Sequence, residues 1–265
     1  MTEANHLDQE YVLVEDIEFN EFGWKKDLPD ERDYQFSFSS KDLPRNFSLK
    51  PHMPKVLDQG QLGSCTANGI CNALRRCEIV EGIDDEKPRS RLFVYYNERE
   101  MEGNVNEDAG AQIRDGIKSV ANVGSCFEST WPYDIKLFTE KPPPEAYAEA
   151  KLHKAIQYHR VGQEAESLKH AIYSGFPVVF GFVVYSSIRK PTVIRSGIIP
   201  MPTRFDQPIG GHCVVLTGWD DTRRLFQIQN SWGEKFGDEG YGYMSYDYIL
   251  NPELASDFWL ITYVK

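Results

Sequence analysis

The 265-residue chain lacks any uninterrupted apolar run near the roughly 18 residues that a membrane helix needs. Its start, MTEANHLDQEYVLVED, also lacks the basic stretch and apolar core of a secretory signal. Both absences lead to the expectation of a soluble, cytoplasmic protein. Cysteine is sparse: Cys65, Cys71, Cys77, Cys126 and Cys213 are an odd set with no Cys-x-x-Cys. That pattern argues against a disulfide framework and a zinc knuckle, and it fits a reducing compartment. No cofactor or metal motif stands out. Basic residues are short as well, with 29 Lys and Arg against 40 Asp and Glu and a net charge of -11. Nucleic acid and anionic lipid both call for clustered cations, so neither is an expected partner. The acidity is local: residues 1–33 carry -8, leaving only -3 for the rest.

What is present has a direction along the chain. Residues 1–42 form an acidic N-terminal extension, and residues 1–10 read as a flexible tail. From Tyr11 to Phe38 the aromatic content is too high for a solvated tail. Ile17, Phe19, Phe22 and Trp24 have the spacing of an extended segment laid on a surface. Three helices follow. In Ser64–Gly82, Ile70, Ala73, Leu74 and Cys77 make one apolar stripe and Gly82 stops it. Ser90 caps RLFVYYNEREME, and AQIRDGIKSVANVG ends at Gly124. The tract EKPPPEAYAEAKLHK breaks the pattern, because three prolines fit neither a helix interior nor a central strand.

Beyond a short helix, ESLKHAIYSG, the chain turns to β-rich runs: PVVFGFVVYSS, GHCVVLTGWD, LFQIQNSW, GYGYMSY and FWLITYV, with DDTRR as a hairpin connection. Helices first and strands second predict an α+β fold in two lobes: residues 43–165 mainly helical, residues 166–265 β-rich, the chain ends crossing between them. A cleft between lobes is the expected place for a site.

In DQGQLGSCTANGI, Cys65 opens the first helix, where unpaired N–H groups and the positive end of the helix dipole favour a thiolate. Cys71 and Cys77 lie farther in without that advantage, and Cys126 and Cys213 read as packing residues. A nucleophilic thiol also needs a base oriented by a third group. His212 comes 147 residues later at the head of an apolar strand, and Asn230 a further 18 along, in QIQNSWGEKFG. Taken singly, a buried histidine and a turn asparagine would be ordinary structural residues.

Together, DQGQLGSCTA, GGHCVVLTGWD and IQNSWGEKFGDEGYGYM resemble, in order, the nucleophile, histidine and asparagine segments of the papain-like cysteine peptidases, over roughly residues 43–265. The Cys-to-His spacing falls in that family's range of about 130–150 residues, and Asn230 lies slightly beyond it. The resemblance implies a helical left lobe and a β-barrel-like right lobe with the active-site cleft between them. It implies a monomeric peptidase that acts on peptides or proteins through a thioester acyl-enzyme. By position, Cys65 would be the nucleophile, His212 the base and later acid, and Asn230 the residue orienting His212 under the cover of Trp232. Gln59 would complete an oxyanion hole with the Cys65 N–H, whose loss would cost about 2.7–4 kcal/mol. Gly63 would let the backbone run close to substrate, and Gly110 would pair with an extended peptide.

Leu62 stands where the family commonly has a disulfide-forming cysteine, and Thr66 where it has an aromatic. The first matches the expectation of a reducing compartment, and the second bears on pocket shape. The short extension is more like that of microbial and viral members, and Tyr11–Phe38 is expected to dock on the cleft and restrain activity, as in a zymogen. Other readings of the same residues are a silenced peptide-binding relative and a thiol acyltransferase, the latter disfavoured because such enzymes more often orient histidine with a carboxylate.

Overall fold

The computed structural model describes residues 22–39, 41–83 and 87–264. In chain order the elements are β1 (Trp24–Lys25), β2 (Asn46–Ser48), α1 (Cys65–Val80), α2 (Arg91–Glu102), β3 (Ala111–Gln112), α3 (Ile113–Asn122), α4 (Pro144–Ala150), β4 (Ala155–Arg160), α5 (Ala165–Tyr173), β5 (Val178–Tyr185), α6 (Pro191–Ser196), β6 (Ile198–Ile199), β7 (Pro208–Asp220), β8 (Leu225–Gln229), β9 (Tyr241–Ser245), α7 (Tyr246–Ile249) and β10 (Ala255–Val264).

The three helices read from periodicity are present. The Ser90 hydroxyl accepts from the Phe93 N–H at 3.1 Å and caps α2. Gly82 and Gly124 follow α1 and α3 with positive φ, a backbone state that glycine adopts without strain. The proline tract behaves differently from its sequence reading. Pro143 is extended, and Pro144 starts α4 at a position where no N–H is needed, so the prolines launch a helix instead of only separating lobes.

An eight-stranded sheet runs β4-β10-β5-β7-β8-β9-β6, with β2 added on β7. Its central strands are nearly continuous apolar runs because both faces are covered. One face of β5, β7 and β10, with Val179, Cys213, Val215 and Trp259, packs on the Ile70, Ala73, Leu74 and Cys77 stripe of α1. The alternate residues Phe180, Phe182, Val214 and Leu216 pack on Leu168 and Ile172 of α5 and on Phe226 and Ile228 of β8. The DDTRR segment closes the antiparallel β7–β8 hairpin, in which Asp220 pairs with Leu225.

Two features of this packing position the site. The first turn of α1 lies against β7, the strand that carries His212. The second is a strap, residues 22–36, laid across the junction. Its β1 pairs in parallel with β3, and Tyr34 and Phe36 exchange backbone hydrogen bonds with Arg160 of β4 at 2.7 and 2.8 Å.

Candidate active site

Cys65 is the first residue of α1 and fully buried. Thr66 behind it does not shape the pocket as its position in the sequence suggested. Its hydroxyl donates to Glu98 of α2 at 2.6 Å, inside the α1–α2 interface, where burial raises the Glu98 carboxyl to about 8. Leu62 is a core residue beside α1, and all five cysteines are free and buried.

His212 lies on β7 opposite Phe182 of β5. Its Nε2 meets Asn230 Oδ1 at 2.8 Å, while its Nδ1 has no hydrogen-bond partner among the described residues. The Trp232 ring stacks on the imidazole, with centroids 4.8 Å apart and planes 25° apart. That pair fixes ring orientation and tautomer: with Nε2 turned to a carbonyl oxygen, Nε2 carries the proton and Nδ1 is left as a base.

Gln59 is fully buried. Its Nε2 donates to the Leu62 carbonyl at 3.0 Å, and its Oε1 accepts from the Ser231 hydroxyl at 2.6 Å. The backbone N–H of Gln59 also donates to the Ser231 carbonyl at 2.9 Å. Asn230, Ser231 and Trp232 are consecutive, so one short segment after β8 holds both the imidazole and the glutamine. Ser231 lies in the segment QIQNSWGEKFG, and its neighbours in sequence carry no signal for this contact with a residue 172 positions away.

Gly63 and Gly110 meet at the same object, the backbone of Gly23 in the strap. Gly63 is anchored by its N–H to both oxygens of Asp108, at 3.0 and 3.1 Å, and Gly110 has φ +66. A Cβ on Gly110 would stand 1.9 Å from the Gly23 carbonyl oxygen, and one on Gly23 would stand 1.7 Å from that of Gly63. The Gly23 carbonyl accepts from Ala111 N–H at 2.8 Å. An extended segment does pair beside Gly110, and that segment belongs to the chain itself.

Burial pushes the Cys65 thiol up to about 12, although the backbone N–H groups of Cys213, Gly23 and Thr66 pull the other way. Burial likewise pushes His212 down to about 4, against the hydrogen bond from Asn230. Burial therefore outweighs the advantage of the helix N-terminus at Cys65.

Farther along, the strap is latched by charges that no local sequence pattern had marked. Asp257 Oδ2 accepts from Trp24 Nε1 at 3.2 Å and from the Asp27 N–H at 2.8 Å. Asp27 Oδ2 accepts from Trp259 Nε1 at 2.8 Å and Asp27 Oδ1 from the Arg114 N–H at 3.1 Å. Arg160 reaches Asp257 at 2.9 Å and Asp27 at 3.3 Å, and Arg114 pairs with Asp33. The Tyr11–Glu21 part of the expected docking segment, and the tail before it, lie outside the described residues.

A thiol at a helix start, an imidazole steered by an asparagine and shielded by a tryptophan, and a buried glutamine beside them define a cysteine hydrolase built across two packed layers. Residues 43–257 match the family model described as papain family cysteine protease, and the chain belongs to that family. It is 41% identical to an uncharacterized peptidase C1-like protein of Acanthamoeba polyphaga mimivirus, over 91% of this chain and 86% of the relative. It superposes on xylellain, a cysteine protease from Xylella fastidiosa, with TM-score 0.86 and 40% identity, covering 92% of this chain and 96% of that one. The procathepsin B S9 of Trypanosoma congolense shares the fold at TM-score 0.69 and 16% identity, over 84% of this chain and 80% of that one. The protein is a papain-like cysteine peptidase with the expected α+β fold.

Proposed function

We propose that this peptidase hydrolyses peptide bonds with Cys65 as nucleophile, His212 as base and acid, Asn230 as the residue that orients His212, and Gln59 with the Cys65 N–H as oxyanion hole, and that residues 22–36 hold it dormant. The carrying observation is the His212–Asn230 pair at 2.8 Å, which leaves Nδ1 as the free base on the strand that borders Cys65. On strap release, water reaches both groups and the desolvation that keeps them neutral is relieved. The proton passes from Sγ to Nδ1, and the thiolate attacks the scissile carbonyl. The resulting oxyanion is stabilised by donors already aimed, His212 protonates the leaving amine, and water then cleaves the thioester. Gly63 and Gly110 bind the backbone of the substrate where they now contact Gly23.

The strap supports the restrained reading because its backbone covers the thiol at Gly23 and pairs through β1 with β3, beside Gly110, where an extended substrate would lie. The test is alkylation by a thiol-directed epoxide, followed by intact mass and peptide hydrolysis. Labelling should depend on Cys65 and should accelerate, together with hydrolysis, in Gly23→Ala. Equal labelling of Cys65→Ala would remove the catalytic assignment, and an unchanged rate in Gly23→Ala would remove the restraint.

A further inference from the structure

One peptide unit, between Leu62 and Gly63, stands between the Gln59 amide and a carboxylate. Its carbonyl oxygen accepts from Gln59 Nε2 at 3.0 Å and from the Ser64 N–H at 2.7 Å. Its N–H, that of Gly63, falls between the two oxygens of Asp108, at 3.0 and 3.1 Å. In a planar trans peptide the N–H and the C=O point in opposite directions, so fixing the first on one side aims the second on the other. Asp108 therefore sets the direction of the acceptor that holds the Gln59 amide.

The carboxylate is itself held. Tyr95 of α2 is fully buried, and its hydroxyl donates to Asp108 Oδ1 and accepts from the Gly110 N–H at 3.2 Å. Arg99, one turn farther along α2 and also fully buried, lies 4.0 Å from the centre of the Tyr95 ring. Its Nη1 donates to the carbonyls of Val105 at 2.6 Å and Glu107 at 3.0 Å. The loop is thus fastened to α2 on both sides of Asp108. An N–H directed at a carboxylate makes a bond roughly twice as strong as one between neutral groups, and a fixed acceptor leaves the Leu62–Gly63 peptide little freedom to turn.

We infer that Asp108 is a positioning residue for the oxyanion hole, orienting the Leu62–Gly63 peptide so that its carbonyl keeps the Gln59 amide aimed at the tetrahedral intermediate. This rests on the peptidase reading above, in which Gln59 and the Cys65 N–H stabilise that intermediate. The role is separable from the thiol and the imidazole. Alkylation by iodoacetamide displaces iodide from a saturated carbon and forms no tetrahedral oxyanion, whereas acylation and deacylation of the enzyme both do.

The experiment uses the full chain carrying Gly23→Ala, so that docking of the strap does not enter the comparison. To it are added Asp108→Ala, Asp108→Asn, Gln59→Ala, or Gln59→Ala together with Asp108→Ala. Each chain is measured for kcat and KM on a fluorogenic peptide and, by intact mass, for the rate of Cys65-dependent alkylation by iodoacetamide. Asp108→Ala should lower kcat about tenfold, the size of a hydrogen bond to a charged group, with KM and the alkylation rate held within about twofold. Asp108→Asn keeps one oxygen for the Gly63 N–H and should lower kcat only about threefold. Gln59→Ala should lose about 10²–10³-fold, and adding Asp108→Ala to it should cost no more than about twofold further, because Asp108 acts through the glutamine. An unchanged kcat in Asp108→Ala, a parallel fall in alkylation, or a full tenfold loss on top of Gln59→Ala would each overturn the assignment. If the alanine chain does not fold, Asp108→Asn decides by the same two readings: a lower kcat with alkylation unchanged supports the assignment, and an equal kcat or a parallel fall overturns it. Absence of both turnover and Cys65-dependent alkylation in the Gly23→Ala chain would instead overturn the peptidase reading beneath it.

Discussion

The groove floor and the strap above it use different physics. Every group assigned to the chemistry comes from the body: Cys65 from α1, His212 from β7, and Asn230 and Gln59 held together through Ser231. The strap supplies no reacting group. At the reaction centre it works through the Gly23 backbone, the Phe22 ring edge-on to the His212 imidazole and the Trp24 ring packed at Gly181 and Gly211, and its charged residues, Asp27 and Asp33, meet Arg114, Arg160 and Asp257. The difference teaches that the proposed restraint requires no distortion of the His212–Asn230 and Gln59–Ser231 pairs. Burial is the largest cause that raises the thiol, with the Glu98 charge adding to it, and burial is what lowers the imidazole.

That separation can be attacked from either side. The largest effect should follow from the floor: Cys65→Ala in the Gly23→Ala background should lose about 10⁴-fold or more in kcat/KM, measured on a fluorogenic peptide, with the strap irrelevant to the result. Next comes the strap backbone. A Cβ 1.7 Å from the Gly63 carbonyl oxygen cannot be accommodated, and overpacking of about 1–3 kcal/mol would shift the docking equilibrium by about 5- to 150-fold, read as faster epoxide labelling of Gly23→Ala than of wild type.

The latch should respond to pH. Burial, then the adjacent Asp257 charge, raise Asp27 from 3.8 to about 6 in the docked state, against the hydrogen bond from Trp259 and the contributions of Arg114. A docked pKa above the released one means that docking binds a proton. Its contribution is complete below about pH 3.8 and is lost as pH rises through about 6. The labelling rate of wild type relative to Gly23→Ala should therefore climb between those values, by up to about tenfold per pH unit, and Asp27→Asn should flatten the climb. The smallest effect should come from a change that touches neither side. Ser90→Ala removes the α2 cap and should lower unfolding stability by about 0.5–2 kcal/mol in urea denaturation, with the wild-type to Gly23→Ala labelling ratio unchanged.

Much of the floor was legible before any coordinates because its parts lie in three contiguous motifs, each with strong local constraints: a helix start, a strand head and a glycine-rich turn. The helices of the first half were legible from apolar periodicity, and the central strands from their unbroken apolar runs. What escaped has a common cause. Asp257, Arg160 and Arg114 are single charged residues on β10, β4 and α3, and nothing in their immediate neighbours distinguishes a latch from a solvated face. The Thr66–Glu98 bond joins two helices through residues 32 apart, so a substitution read as a change of pocket was a change of interior. Pro144 looked like a terminator because proline disrupts helix interiors, and it serves at a helix start for the same reason.

The strap is fastened to Arg160 at Tyr34 and Phe36, Phe38 stacks on His170, and the chain is held again at Pro44 and Arg45 before it enters β2, so the link from strap to body is short. A competitor on so short a leash acts at an effective concentration on the order of millimolar, whatever its intrinsic affinity. In the restrained reading proposed above, substrate must outcompete that tether as long as it is whole. A single cut within residues 37–45 would turn the same segment into a free peptide that dilutes away, making inhibition depend on enzyme concentration where before it did not.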